Sequence, residues 1–343
     1  MAKTRNSVSA HAAVSAGDTG PVRIAVLAYD GCLGLQVFGL VDVLRIGVDV
    51  QRSLGKPSRQ LAVEICSVSG GAVVLAGGTT VETRRLRGRP ALLVVPGFDP
   101  SGGEDLAQGL TLRSGEARAI RRVFAGGGAV ASICTGAFLL GSAGLLDGRT
   151  VTTSWMFGTQ LARAFPAAAV RTDALLLEDG GVTTTGAVSA AFDLALQLVK
   201  QHLGAATASA TANVSLLQST RSDQRPFVDA RLLEAPSGAF SARVRDWFAG
   251  RLKQPYELAR VAAAFKVSPR TLMRRVKAES GQSPLALLQQ LRVEEAKRLL
   301  ARPGASLERV TEAVGYVDPV TFARLFARLV GESPARYRRR TLQ

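Results

Sequence analysis

The chain has 343 residues, of which 47% are apolar, so it can bury the cores of two or three globular domains and is not a largely disordered protein. Its 43 Lys and Arg outnumber 27 Asp and Glu and give a net charge of +16. Residues 238–343 hold 21 of these basic side chains and nine of the acidic ones, so most of the excess lies in less than a third of the chain. Charge concentrated in this way is typical of nucleic-acid binding, with a solubilising surface as the alternative.

The cysteines and histidines indicate the cellular compartment of the protein and limit which metals or cofactors it could bind. Cys32, Cys66 and Cys134 form no C-x-x-C pair and are odd in number, which argues against a disulfide framework and predicts a cytoplasmic protein. The only histidines, His11 and His202, are too few for a His-based metal site. We therefore expect neither a metal nor another cofactor.

Two segments need to be distinguished from targeting or membrane signals. Residues 1–20 have no apolar core, so we expect a disordered tail rather than a signal peptide. Residues 125–146 carry no charge, but their glycines predict a strand, a turn and a helix buried in a sheet rather than a membrane span. No membrane partner is expected.

Short apolar runs alternate with helical stretches from residue 22 to residue 203. The predicted strands are Val22–Leu27, Leu61–Ser67, Leu92–Val95, Ala129–Ile133 and 151–153, followed by a hairpin over 175–178 and 182–185; helices are predicted over 116–124 and 189–203. This order predicts an α/β fold, a flavodoxin-like and mostly parallel sheet with helices on both faces. The polar segment 221–240 is interpreted as a linker between a domain over 21–220 and an all-α domain over 241–343.

The C-terminal region repeats itself with a period of fifty residues. The two copies read Ser268-Pro269-x-x-Leu272-x-Arg274-x-Val276 and Asp318-Pro319-x-x-Phe322-x-Arg324-x-Phe326, and each is followed by Gly-x-Ser-Pro. In each copy a helix, over 257–265 or 307–314, precedes a turn. Ser268 or Asp318 then caps a second helix that has proline at its first position. The pattern predicts two helix-turn-helix motifs.

The exposed face of each second helix is polar in its first turn and carries arginine, which suits insertion into a major groove. The predicted DNA-binding residues are Arg270, Thr271, Arg274 and Arg275 in the first copy and Val320, Thr321, Arg324 and Arg328 in the second. A helix over 285–300, about 24 Å long, would join the copies so that they enter successive grooves of one duplex. A helical protein-interaction domain with solvated arginines is the alternative.

Residues 238–337 resemble the AraC/XylS family of regulators. The second copy carries the sequences V-T-E-A-V-G-Y (310–316), F-A-R-L-F (322–326) and G-E-S-P (331–334), whereas the first has Val276 where the family usually carries Phe. The resemblance implies a sequence-specific transcription regulator, an activator, that binds double-stranded DNA. RNA polymerase is a further expected partner, and a homodimer stays open.

Residues 126–138 predict a strand, a sharp turn and a helix, with Cys134 at the turn. Such an elbow presents a side chain at the carboxyl edge of the sheet, where α/β proteins bind ligands. The N-terminus of the following helix is expected to lower the pKa of the Cys134 thiol. The alternative is a buried, inert cysteine.

Residues 22–203 resemble the PfpI/class I glutamine-amidotransferase-like superfamily, especially its GlxA-type members fused to AraC domains. The shared positions are Asp30-Gly31, Val95-Pro96-Gly97, Cys134-Thr135-Gly136-Ala137, Thr152-Thr153-x-Trp155 and Ala190-x-x-Asp193. This chain departs from catalytic relatives at three places: Gln36 replaces an acid, Ser154 replaces a common His, and Thr135 follows the cysteine in place of His.

Without a base or a charge partner, Cys134 is not expected to act as a nucleophile, so no catalytic residue is predicted. We predict instead an effector site for a small metabolite, lined by Gln36, Gly97, Phe98, Cys134, Thr135, Ser154 and Trp155. Two alternatives stay open. One is a thiol-dependent hydrolase or hydratase with a DNA-binding tail, and the other is an oxidant or electrophile sensor that uses Cys134.

Overall fold

The computed structural model describes residues 21–55, 61–99, 106–218, 221, 223–229 and 240–342. The predicted tail over 1–20 and part of the predicted linker lie outside these residues. The chain forms two compact units that divide between Gln224 and Arg225.

The first unit is built on one large sheet. The strands of the whole unit are β1 (Val22–Leu27), β2 (Leu61–Ser67), β3 (Gly71–Val74), β4 (Thr80–Arg85), β5 (Leu92–Val95), β6 (Ala129–Ile133), β7 (Thr150–Val151), β8 (Ala169–Val170), β9 (Leu176–Asp179) and β10 (Val182–Thr185), and all but β7 and β8 belong to the large sheet. The order is β3-β4-β2-β1-β5-β6-β10-β9, and only the outer strands β3 and β9 run antiparallel to their neighbours. The pair β7-β8 stands apart. The predicted mostly parallel sheet is confirmed.

Two groups of helices pack on this sheet. The helices are α1 (Gly34–Ser53), α2 (Leu106–Leu112), α3 (Ser114–Ala125), α4 (Gly136–Ser142), α5 (Gly158–Ala164), α6 (Ala190–Leu203) and α7 (Ala205–Val214). One group joins α1 to α6 and α7, and the other joins α3 to α4 beside β6. The continuous apolar strands are buried because helices cover them.

The segment after β7 differs from the predicted strand over 151–153. Pairing ends at Val151, and the main-chain N–H of Thr152 donates to Thr184 Oγ1 at 2.8 Å instead of to a strand carbonyl. The start of the predicted linker also differs, because Arg221 pairs with the carboxylate of Asp193 and Gln224 is buried in the first unit. Polar composition indicated a linker here, but these side chains have partners far away in the sequence.

The second unit is all-helical over its described residues. Its helices are α8 (Phe240–Ala249), α9 (Leu258–Ala264), α10 (Pro269–Ser280), α11 (Pro284–Leu300), α12 (Leu307–Ala313), α13 (Pro319–Val330) and α14 (Pro334–Leu342). Each repeat has its own apolar cluster, one around Leu272 and Val276 and the other around Phe322 and Phe326. The two predicted helix-turn-helix motifs are confirmed. No helix in the described ranges is long and apolar enough to cross a bilayer.

Candidate effector and nucleic-acid sites

Cys134 lies on a strained turn between β6 and α4. Its φ angle is +55°, which a residue other than glycine rarely adopts. Its N–H donates to the carbonyl of Thr185 at 3.2 Å, and its carbonyl accepts from Thr153 Oγ1 at 2.7 Å. A Cβ atom on Gly136 would lie 2.4 Å from the carbonyl oxygen of Val95, so only glycine lets the chain turn this close to β5. The predicted elbow is present.

The predicted lining residues are brought together around this elbow. Gln36 Oε1 accepts a hydrogen bond of 2.5 Å from the main-chain N–H of Gly97. Thr135 Oγ1 lies 2.8 Å from the nitrogen and 2.6 Å from the oxygen of Phe98. The side chains of Gln36, Thr135 and Ser154 all face the Cys134 thiol.

These residues form a closed arrangement, not an open pocket. Cys134 is 4% exposed, Gln36 is fully buried, Thr135 is 1% exposed and Ser154 is 3% exposed. Trp155, which begins a 3-10 turn, is half-buried. A ligand can therefore reach the thiol only if part of this lining moves.

Burial raises the pKa of the Cys134 thiol, although the main-chain N–H of Thr135 and the polar side chains of Thr135, Ser154 and Gln36 oppose the rise. The N–H of Thr135 at the start of α4 does lower this pKa, but removing the thiolate from water outweighs it, so the pKa is raised where we expected it to be lowered. Burial raises the pKa of Cys32 to about 11 and that of Cys66 to about 12. None of the three thiols has the exposed, acidic character that an oxidant sensor uses.

One buried donor near the thiol is unsatisfied. Gln36 Nε2 has no hydrogen-bond acceptor among the described residues, while Oε1 of the same side chain is fixed by the N–H of Gly97. A buried amide hydrogen without an acceptor is costly, so a ligand that brings an oxygen acceptor would relieve this cost.

In the second unit, α10 presents part of its predicted DNA-binding face to solvent. Arg270 and Arg274 are exposed. Arg275 is exposed as well, and its guanidinium lies 4.0 Å from the centre of the Phe240 ring on α8. Thr271 holds the start of the helix, since its N–H donates to Ser268 Oγ at 3.2 Å.

Helix α13 begins at a stronger cap. The Asp318 carboxylate accepts from the N–H groups of Val320 at 3.0 Å and Thr321 at 2.9 Å, and from the Thr321 hydroxyl. These hydrogen bonds, first that of the Thr321 hydroxyl, lower the pKa of Asp318. Val320 is 58% exposed, and Arg324 and Arg328 are exposed on the same helix. The predicted residues of this copy thus line its solvent side.

Known proteins resemble both units of this chain. Residues 22–201 match the DJ-1/PfpI family, and residues 261–340 match a helix-turn-helix domain. The chain belongs to the DJ-1/PfpI family. Both resemblances read from the sequence, to this family and to AraC-type helix-turn-helix domains, are confirmed.

Three relatives of this DJ-1/PfpI chain bear on its function. It is 26% identical to the HTH-type transcriptional regulator GlxA of Rhizobium meliloti over 294 residues, 84% of this chain and 87% of that protein. It is 27% identical to the HTH-type transcriptional regulator CdhR of Pseudomonas aeruginosa over 282 residues, 80% of each chain. It is 33% identical to the isonitrile hydratase of Pseudomonas putida over 135 residues, 39% of this chain and 56% of that enzyme.

Sequence reasoning missed two side chains of the DJ-1/PfpI unit. The guanidinium of Arg113 lies 4.7 Å from the centre of the Phe98 ring, and Gln224 bonds to the main chain of Thr153. No local pattern marks either contact, because both join residues distant in sequence. Among the described residues, no cluster of three or more His, Cys, Asp or Glu could hold a metal ion.

Proposed function

We propose that this chain is a sequence-specific DNA-binding transcription regulator whose DJ-1/PfpI unit responds to a small metabolite. The observation that carries the DNA-binding part is the pair of recognition helices, α10 and α13, capped at equivalent residues and carrying exposed arginines at Arg274 and Arg324. The regulators GlxA and CdhR each align with at least 80% of this chain, which is more than either unit contains.

Binding through Lys and Arg to phosphates releases counterions, so the affinity of the full chain for duplex DNA should depend strongly on salt. With about four neutralised phosphates, we expect the affinity for a 30-bp duplex to fall about hundredfold between roughly 50 and 200 mM KCl. Fluorescence anisotropy measures this fall. Arg52→Ala removes an exposed arginine of the first unit that pairs with Asp49, so it should leave the salt slope unchanged. An affinity independent of salt would refute DNA binding.

For the DJ-1/PfpI unit, we propose that the effector binds at the Cys134 elbow. The support is the convergence of Gln36, Thr135 and Ser154 on the thiol and the unsatisfied Nε2 of Gln36. These groups are uncharged, so the effector chemistry they fit is a small, neutral or zwitterionic compound with an oxygen acceptor. The effector must displace part of the closed lining to enter. Trp155, which is half-buried, is the most exposed residue of that lining.

The isonitrile hydratase among the relatives makes catalysis the competing function, and we propose that the elbow binds without turnover. The groups that face Cys134 are an amide and two hydroxyls, none of which can take the thiol proton at neutral pH. Wild type and Cys134→Ser should therefore hydrolyse or hydrate amide, isonitrile and aldehyde substrates at the same background rate. Turnover of about 1 s⁻¹ that depends on Cys134 would establish an enzyme instead.

Several finer assignments are part of the same proposal. We place the two domains on either side of the division between Gln224 and Arg225, so that the first extends past the expected 21–220 and the second begins before the expected 241–343; we also assign the protein to the cytoplasm and assign it activation through contact with RNA polymerase. The division between Gln224 and Arg225 and the absence of paired cysteines support the first two. Activation rests on the AraC/XylS resemblance.

A further inference from the structure

The two recognition helices have the same local geometry, so their residues can be compared one by one. Helices α10 and α13 each contain 12 residues and begin with proline. Each follows a capping residue, Ser268 or Asp318, whose side chain accepts from the main chain of the first turn. Each ends at a glycine in the left-handed conformation. A residue of α13 therefore takes the place on its motif that the residue fifty positions earlier takes on α10.

The first turns of the two helices differ in charge. In helix-turn-helix proteins it is this end of the recognition helix that contacts base edges. Arg270 on α10 is exposed, and its equivalent on α13 is Val320, which is 58% exposed. Arg270 gives residues 268–271 a charge of +1, whereas Asp318 gives residues 318–321 a charge of −1. The two copies therefore present opposite charge to DNA at equivalent places.

The Asp318 carboxylate keeps its charge and has little capacity left to accept from DNA. It accepts from the N–H of Val320 and from the N–H and the hydroxyl of Thr321, which occupy three of its about four acceptor positions. The Thr321 hydroxyl and these N–H groups hold the pKa of Asp318 below its usual range, and the charge of Arg324 contributes. An ionised carboxylate here repels phosphates and the O6 and N7 acceptors of guanine.

Valine side chains make the same end of α13 apolar. Val317, directly before the cap, is fully exposed, whereas its equivalent Val267 packs against the apolar cluster of the first repeat. Together with Val320, two valines are thus exposed at the start of α13. The apolar group that base pairs present in the major groove is the 5-methyl of thymine. An aliphatic side chain against this methyl removes the apolar surface of both from water.

We propose that Val320 contacts the 5-methyl group of a thymine, at the place where Arg270 contacts a guanine in the first copy. This assignment rests on the proposed function and deepens it by naming the base that each helix selects. Adenine and guanine have no methyl group and would bring an N7 acceptor towards the Asp318 carboxylate. Cytosine could donate from N4 to the remaining acceptor position of Asp318, so it is the competing base.

Replacing thymine with deoxyuridine tests this contact, because it removes only the methyl group. The full chain first selects a preferred duplex from a random pool, and each thymine of that duplex is then replaced in turn. We expect one replacement to weaken the binding of wild type about fourfold, or about 0.8 kcal/mol, the gain from burying one aliphatic carbon. Val320→Ala should bind the thymine and deoxyuridine duplexes equally well, because the contact can be lost only once.

Val74→Ala and Arg270→Ala are the controls. Val74→Ala makes the same truncation at a valine of β3 that is 47% exposed, and it should keep the full response to deoxyuridine. Arg270→Ala should also keep this response while it relaxes the preference for guanine at another position. If no thymine shows a response that depends on Val320, or if Val74→Ala abolishes the response equally, the assignment is wrong and Val320 is available to a protein partner instead.

A double variant, Asp318→Ser with Val320→Arg, gives the second copy the charge of the first. Serine already caps α10, so the helix is kept. We expect the preferred base at the affected position to change from thymine to guanine by at least about fivefold. If Asp318→Ser alone relaxes a preference for cytosine, the carboxylate reads the base and the assignment to Val320 is wrong. A chain that binds no duplex would refute the proposed function and this assignment with it, whereas selective binding without a Val320-dependent methyl response refutes the assignment alone.

Discussion

Replacing Phe322 with alanine should lower the free energy of unfolding of the second unit by about 3–5 kcal/mol, the usual cost of removing a buried phenylalanine. Phe322 is fully buried, and its ring lies 5.4 Å from that of Tyr316 and 5.9 Å from that of Phe326. Alanine leaves a cavity at the centre of the second repeat, beneath the helix that carries Arg324. Urea unfolding followed by Trp247 fluorescence in a Trp155→Phe background measures the change, since these are the only two tryptophans.

Val317→Ala is the control for this measurement. Val317 lies in the turn of the same repeat but is fully exposed, so its truncation should change the free energy of unfolding by less than about 0.5 kcal/mol. A loss of under about 1 kcal/mol for Phe322→Ala would mean that the aromatic cluster does not hold the second motif together.

Arg274→Ala and Arg324→Ala should each weaken binding to a preferred DNA sequence by about 1–3 kcal/mol, or roughly 5- to 150-fold. Both arginines occupy equivalent positions, five residues after the first residue of α10 and α13, and both are exposed. The preferred sequence is first selected by the full chain from a random pool. Affinities are then measured for that sequence and for variants with single base changes.

Arg298→Ala serves as the control, because Arg298 is exposed on α11 and pairs with Glu295 away from the recognition helices. If Arg274 and Arg324 read bases, their removal relaxes the preference at particular base pairs. A uniform loss of affinity across all sequences would instead identify the two arginines as phosphate contacts and would contradict our assignment of base readout.

Much of the fold could be predicted from the sequence, but α1 could not. Gly34, Gly39 and Gly47 lower its helix propensity and interrupt its apolar pattern. The structure gives the reason for two of them, since a Cβ on Gly39 would lie 2.8 Å from Phe192 and one on Gly47 would lie 2.7 Å from Val199. Close packing of α1 on α6 requires these glycines, and tertiary contacts then stabilise a helix that local propensity disfavours.

The candidate sites, like the fold, could be predicted from the sequence only in part. The elbow could be predicted because its glycines and Cys134 are contiguous, and the period of fifty residues placed both recognition helices. The raised pKa of Cys134 could not, because it is caused by burial, which depends on how segments distant in the sequence pack around the thiol. Stacking of Arg275 on Phe240 was equally hidden. So was Gln224, whose partners lie on three distant segments.

Hydroxyl-radical footprinting of the full chain on its selected sequence tests most directly whether two recognition helices bind one duplex. Helix α11 has 17 residues, a length of about 26 Å, which suits motifs placed in successive major grooves. We predict two protected patches about 10 bp apart on one face of the DNA, with Arg274→Ala weakening one and Arg324→Ala the other. A single protected patch that both variants weaken equally, or no protection at all, would contradict the assignment.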